Sequence, residues 1–261
     1  MLESSRRQFL LTATMTTAGI LVPAPLRAAA MESQSPAGAT VFSKRLDEGW
    51  EYRQGPLAGI WEAWRKEEAD LWKAAVLPHC FNAMDACDPD RSYFRGQGWY
   101  RTRLALMNPF ADGRTVLHFQ GAGQTTTLWV GSTLIGTHQG GYDEFVFDIT
   151  EASRQSKGAK GAVPITVLCD NSPDLNRVPS DLSDFCLYGG LYRHVNLTYL
   201  PAVALDTVHI MPTVAADGMA EVSVKARLFN PAVRDCSCTV EIAVLDAAGD
   251  VVHSASKTVP V

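Results

Sequence analysis

The chain has 261 residues, of which 46% are hydrophobic and 20% are charged, and this globular composition is long enough for one full domain and part of another. Its net charge of -5 and pI near 5.7 give no electrostatic basis for binding nucleic acid or an anionic membrane surface. The net charge does not exclude a neutral ligand.

Paired arginines stand near the start of the chain. Arg6 and Arg7 precede a mildly apolar run over residues 10–22, which residues 27–30 (RAAA) end with a small-residue cleavage pattern. This order is typical of a twin-arginine export signal, and a short buried helix is the alternative. The run is too short for a comfortable membrane span. We predict a signal peptide over residues 1–30 and a mature protein in the periplasm or outside the cell, with no membrane contact after cleavage.

The middle of the chain is predicted to be built of strands. One helical segment is expected between residues 61 and 75, but Pro78 ends it early, so that it has only a turn or two. Gly131 and Ser132 separate two apolar runs and predict a tight hairpin. Alternating apolar and polar residues, bounded by Gly, Asp, Asn and Pro, predict the strands of an antiparallel sandwich at residues 99–107, 115–120, 125–130, 145–149, 164–168 and 191–200.

A domain boundary is predicted near Pro201. Residues 220–229 and 239–245 again alternate, as do the opening strands of an immunoglobulin-like sandwich. Such a domain needs about a hundred residues. We therefore expect residues 202–261 to form an incomplete sheet with an exposed edge.

The six cysteines contain no CxxC pair. Cys80 with Cys87 is the only attractive local disulfide, and six buried, reduced thiols are the competing interpretation. Cys236 and Cys238 lie two apart on a predicted strand, where their side chains are poorly aimed for a bridge. The spacing also lacks a zinc pattern.

Asp85, Asp88 and Asp90 form an acidic loop. The loop lacks the glycine turn and the terminal Glu of a calcium motif, so we interpret it as solvated and predict no metal site.

Five stretches of the sequence carry recognisable motifs: residues 184–195 (DFCLYGGLYRHV), 77–82 (LPHCFN), 98–101 (GWYR), 117–122 (LHFQGA) with 128–130 (LWV), and 140–150 (GGYDEFVFDIT). Together they resemble the sugar-binding domain of glycoside hydrolase family 2, the family of β-galactosidases, β-glucuronidases and β-mannosidases. The sequence departs from the family pattern at Gly131-Ser132, where Asn-Gly is common, and at Cys186, where Asn is usual. The resemblance implies an all-β fold, with a galactose-binding-like jelly-roll sandwich over residues 31–201 followed by a partial immunoglobulin-like β-sandwich over residues 202–261.

The resemblance also suggests which residues contact a sugar. Asn82 and Asp184 would reach the edge of an active site and hydrogen-bond sugar hydroxyls, and Tyr188 would stack on a sugar ring. The alternatives are that Asp184 caps a turn, that Asn82 closes a loop and that Tyr188 packs in the core. Arg193 is interpreted as a structural ion-pair partner.

Catalysis is not expected from these residues alone. Retaining glycosidases need a carboxylic acid and a carboxylate nucleophile, and the family carries its acid/base in an Asn-Glu pair of a separate barrel. The sequence contains no Asn-Glu pair. We predict the non-catalytic, carbohydrate-binding N-terminal part of an exported, β-galactosidase-like enzyme that hydrolyses β-glycosides. The barrel would come from elsewhere, in cis or in trans, and no cofactor is needed. The alternative is a free-standing exported carbohydrate-binding module.

Overall fold

The chain divides into two compact units. The first, here called the N-terminal sandwich, covers residues 41–200, and the second, here called the C-terminal sheets, contains residues 201–261 and strand β1 (Gln8–Leu11). Among the described residues, no helix has the length and apolar character needed to cross a bilayer. The computed structural model describes residues 8–11, 41–156, 161–177, 186–230 and 235–261.

The N-terminal sandwich consists mainly of short antiparallel strands. Its described strands are β2 (Phe42–Arg45), β3 (Trp50–Gln54), β4 (Lys73–Ala75), β5 (His79–Cys80), β6 (Gln97–Leu104), β7 (Arg114–Phe119), β8 (Thr125–Val130), β9 (Thr133–Gln139), β10 (Phe145–Asp148), β11 (Val163–Asp170), β12 (Gly190–Leu191) and β13 (Val195–Leu200).

Two sheets enclose one hydrophobic core. The larger has the order β4-β3-β6-β11-β8-β9 and the smaller the order β10-β7-β13-β2. Strand β11 shows how the sequence places the core, because Val163, Ile165 and Val167 alternate into it and are almost completely buried. From the smaller sheet, the ring of Phe119 stacks on that of Phe145 with centroids 4.9 Å apart. The predicted all-β sandwich is confirmed.

The strand predictions hold best where the alternation is regular. Strand β8 has the predicted bounds, and the hairpin to β9 turns at Gly131 with φ at 59°. Residues 191–200 are not one strand, however. They are divided between β12 and β13, which pair with different partners.

The short helical segment predicted between residues 61 and 75 is found as two separate 3₁₀ turns and not as one helix. The turns span Ile60–Trp64 and Ala69–Leu71 and are followed by β4. The Nη1 of Arg101 donates to the Ala63 carbonyl at 2.6 Å, and its guanidinium lies 4.3 Å from the ring centroid of Trp72. A side chain of the neighbouring sheet therefore satisfies a carbonyl that a longer helix would use. An α-helix that was not predicted, α1, spans Thr150–Gln155.

The C-terminal sheets bury much less. They comprise β14 (Ala204–Val214), β15 (Ala220–Phe229), β16 (Ser237–Leu245) and β17 (Val251–Pro260). The sheets have the orders β1-β15-β14 and β16-β17, and their small core centres on Leu228, Val259 and Val261. Strand β15 has the predicted bounds. Strand β1 lies inside the segment predicted as an export signal, and the paired arginines before it lie outside the described residues.

Candidate functional site

Two buried asparagines hold the segment that begins at Cys186. The Nδ2 atoms of Asn82 and Asn171 both donate to the Leu187 carbonyl, at 3.0 and 2.7 Å. The Oδ1 of Asn82 accepts the Gly189 backbone N–H at 2.8 Å. Asn82 is 1% exposed, so its amide fixes the loop from inside the protein.

The glycine pair after Tyr188 is required by close packing. A Cβ at Gly189 would lie 2.1 Å from Cζ of Phe81, and one at Gly190, where φ is 113°, would lie 2.4 Å from the Tyr100 hydroxyl. Strand β12 then pairs Gly190 with Cys80 of β5. This bend directs Tyr188 outward, where it is 42% exposed.

The outward residues line an open cleft of about 440 Å³. Tyr142 comes from the segment before β10, while Tyr192 and Arg193 follow β12. The Tyr192 hydroxyl donates to the Gly141 carbonyl, and burial raises the pKa of Tyr192, so the hydroxyl remains protonated. The cleft is lined by Cys80, Ala83, Tyr142, Tyr188, Tyr192 and Arg193.

Arg193 differs from its predicted role. Its Nη1 donates to the Gln120 carbonyl at 3.1 Å and to the Tyr142 carbonyl at 2.9 Å. Within the described ranges, no carboxylate forms an ion pair with it, so the predicted structural ion pair is not found there. The guanidinium ties two loops together at the cleft wall.

The three predicted sugar-contact residues have different positions. Tyr188 lines the cleft, whereas the Asn82 amide is occupied by protein groups and supports the loop that carries Tyr188. Asp184 lies outside the described residues. A sugar contact by any of the three stays a prediction.

Sequence reasoning missed the other aromatic residues of the cleft. Tyr142 follows Gly140-Gly141, and Tyr192 stands two residues after Gly189-Gly190. A glycine pair close to an aromatic residue was the available signal, because a sharp bend can present a ring outside a sheet.

The cysteines near the cleft are free thiols. The Cys80 thiol donates to Oδ1 of Asn82 at 3.3 Å, and Nδ2 of the same amide donates to Sγ of Cys186 at 3.5 Å. Burial raises the pKa of Cys80, which disfavours the reactive thiolate. The proposed Cys80–Cys87 bridge is absent, and Cys87 is exposed, so the six thiols are not all buried as the competing interpretation required.

Residues of the acidic loop form contacts within the N-terminal sandwich. The Oδ2 of Asp85 accepts the Phe94 backbone N–H at 2.8 Å, and Asp88 pairs with Arg91 at 3.1 Å. Asp85 is therefore a buried loop anchor and not a solvated residue. Among the residues described, no group of three or more His, Cys, Asp or Glu side chains is placed to hold a metal.

Comparison with known proteins identifies the scaffold. Residues 57–201, more than half of the chain, match the family described as "Glycosyl hydrolases family 2, sugar binding domain". The crystal structure of Parabacteroides merdae β-glucuronidase is similar, with 43% identity and a TM-score of 0.77 over 84% of this chain and 30% of that one.

Curated relatives carry two enzyme names. A putative β-glucuronidase of Formosa agariphila is 32% identical over 70% of this chain, and a β-galactosidase of Thermoanaerobacter pseudethanolicus is 25% identical over 66%. The matches cover only 21% and 23% of those relatives, so the chain spans less than a quarter of their length. The chain belongs to glycoside hydrolase family 2, and residues 57–201 are its sugar-binding domain.

Proposed function

We propose that this chain is the carbohydrate-binding N-terminal part of a β-glycosidase, and that further polypeptide supplies the catalytic carboxylates. The observation that carries the proposal is the cleft where Tyr142 and Tyr188 stand exposed beside Arg193. Exposed aromatic rings bind the apolar face of a sugar, and the nearby donors bind its hydroxyls. Asp184 and Asn82 are proposed to belong to the same site, Asp184 as an acceptor for sugar hydroxyls and Asn82 as a contact at its edge.

A second observation supports a part of a larger protein over a free-standing module. A module that works alone is expected to have a closed polar surface. The C-terminal sheets instead expose apolar side chains, including Ile210, Val214 and Val251. Such surface is typical of a region that another segment or domain covers.

The test is titration of the full chain with methyl β-glycosides of galactose, glucuronic acid and mannose, followed by NMR. We expect weak binding that Tyr188→Ala lowers by about fivefold, because one aromatic contact is worth about 1 kcal/mol. Trp61→Ala is the matched control, since Trp61 is exposed on the same unit but does not line the cleft. Equal losses in both variants, or no binding of any glycoside, would contradict a sugar site in this cleft.

The same protein should not hydrolyse aryl β-glycosides. A retaining mechanism needs two carboxyl groups about 5 Å apart. We place both outside this chain, because it contains no Asn-Glu pair of the kind that carries the family's acid/base. Turnover that persists after rigorous purification would overturn this assignment.

We also propose that residues 1–30 direct export through the twin-arginine route. The support is the order of charged, apolar and small residues after Arg6 and Arg7. A reporter fused to residues 1–40 should reach the periplasm, and replacing both arginines by lysine should stop it. Export of the lysine variant at the normal rate would refute this route.

A further inference from the structure

A strand from the start of the chain covers one backbone edge of β15. In the sheet order β1-β15-β14, strand β15 lies between the other two. Strand β1 runs antiparallel to it, with Gln8 opposite Arg227 and Leu11 opposite Val224. Successive residues of a strand point their N–H and C=O groups to alternate sides, so β14 and β1 satisfy different halves of the groups between residues 224 and 227. The half that faces β1 is here called the β15 edge.

The strand that carries this edge is regular and apolar on one side. Val224, Ala226 and Leu228 alternate along β15 and are buried. The residues of β1 that stand opposite Ala226 and Val224 are Phe9 and Leu11, which are also apolar. A regular strand with an apolar row and an uncovered backbone edge is a template for pairing with another chain.

The opposite edge of the same sheet has its own protection. Strand β14 contains Pro212, which has no backbone N–H to donate, and its register with β15 shifts between Leu205 and Thr207. Prolines and bulges are devices that interrupt an exposed strand edge. Strand β15, all of which is described, contains no proline, and its pairing with β1 has no register shift. Protection of its edge therefore depends on a covering segment.

We infer that residues 8–11 guard the β15 edge, because they occupy in cis the site where β15 of a second copy of this chain would otherwise pair. This is a role for the segment beyond the proposed export signal, and it depends neither on export nor on carbohydrate binding. Arg6 and Arg7 directly precede the guarding residues in the sequence. Cleavage after the predicted signal would therefore remove the guard and uncover the edge.

Hydrogen exchange of the full chain tests the pairing. Phe9→Pro combined with Leu10→Pro should displace β1, because consecutive N–H groups point to opposite sides and one of the two prolines removes a pairing donor. We expect the β15 amides between residues 224 and 227 that face β1 to exchange at least about tenfold faster, while those that face β14 keep their rates. Thr16→Pro combined with Thr17→Pro is the matched control, since it places two prolines in the same segment but outside β1. The amides of β16 and β17 report whether each variant keeps this unit folded.

Sedimentation velocity tests the guarding role. The Phe9→Pro/Leu10→Pro variant should self-associate more strongly than the parent chain and the control variant, because two uncovered β15 edges can pair with each other. A synthetic peptide of residues 6–13 (RRQFLLTA), added in excess, should restore the protection of the edge and lower the association. A scrambled peptide of the same composition should do neither.

The possible results decide the inference at two steps. Equal exchange in the parent chain and in the Phe9→Pro/Leu10→Pro variant would overturn it, and so would an equal loss of protection in the control variant. Faster exchange without stronger association would overturn it as well, because β1 would then pair with β15 without shielding it from a second copy. None of these results bears on carbohydrate binding, which the titration with methyl glycosides measures separately.

Discussion

The N-terminal sandwich and the C-terminal sheets differ in how far they bury their apolar side chains. In the sandwich, Leu117, Phe119 and Leu128 have no exposed surface. In the C-terminal sheets, Val214 and Ile210 on strand β14 are mostly exposed, although they alternate as core residues do. The same strand pattern thus yields a closed core in one unit and an open apolar face in the other. The sandwich is stabilised by its own burial, whereas the C-terminal sheets present surface that suits a further partner.

The largest expected effect is in the closed core. Phe119→Ala removes a ring that stacks on Phe145 and meets Phe147 edge to face, and it should lower the free energy of unfolding by about 3–5 kcal/mol. Urea unfolding followed by tryptophan fluorescence measures this unit alone, because all six tryptophans lie between residues 50 and 129. Val146→Ala, at an exposed site on the neighbouring strand, should change it by less than about 0.5 kcal/mol. Similar losses in both variants would show that the sandwich core is not closed.

The second largest loss of stability is expected when Asn82, which holds the backbone of Leu187 and Gly189, is replaced. Asn82→Ala leaves the Gly189 N–H without its acceptor and should cost about 1–3 kcal/mol in the same urea experiment. Asn176→Ala, at an exposed position, should have almost no effect. If Asn82 acted only as a sugar contact, its replacement would lower sugar affinity with no change in the urea midpoint.

The sequence predicted those parts of the fold that depend on neighbours along a strand. The bounds of β8 and β15 follow from regular alternation, which reports the two faces of a pleated strand. The division of the predicted helical segment between residues 61 and 75 into two 3₁₀ turns was not foreseen, because the contact that competes with a longer helix is distant: Arg101 reaches the Ala63 carbonyl from 38 positions away. No local pattern contains that contact.

The candidate site shows the same limit. Tyr188 was identified through the family motif, and it does line the cleft. The role of Asn82 as a clamp required knowledge that Leu187 and Gly189, more than a hundred positions away, would lie against it. The meeting of Tyr192 with Gly141 likewise depends on pairing between distant strands. Motifs thus located the cleft, and tertiary contacts decided which side chains face it.

A smaller effect is expected in the pH dependence of the stability of the N-terminal sandwich. Burial lowers the pKa of His79, whose Nδ1 lies 2.8 Å from the Tyr100 hydroxyl. Below about pH 6.5, the unfolded chain then binds protons more readily than the folded one, so stability falls as the pH falls and is unaffected above that value. His79→Gln should flatten the dependence of the urea midpoint on pH between about 7 and 5.

The control for this dependence comes from the other unit. His209→Gln, on exposed strand β14, should leave the pH dependence of the tryptophan signal as it is in the parent chain. Equal slopes in the parent and in His79→Gln would mean that other groups produce the acid sensitivity.

Substitution on the open apolar face of the C-terminal sheets should change stability least. Its expected effect is on the self-association of the protein. Ile210 is 64% exposed on β14, and a lysine there places a charge on apolar surface that otherwise favours contact between chains. Ile210→Lys should leave the unfolding free energy of the sandwich within about 0.5 kcal/mol of its value in the parent chain and reduce self-association in sedimentation velocity.

Leu134→Lys is the control, because Leu134 is comparably exposed but lies on β9 of the sandwich. If Leu134→Lys reduced association as much as Ile210→Lys, exposed apolar residues of either unit would be equally adhesive, and the open face of the C-terminal sheets would have no special role. If only Ile210→Lys has this effect, the contacts depend on the apolar surface around Ile210 on β14, which is the surface that we propose another part of the polypeptide covers.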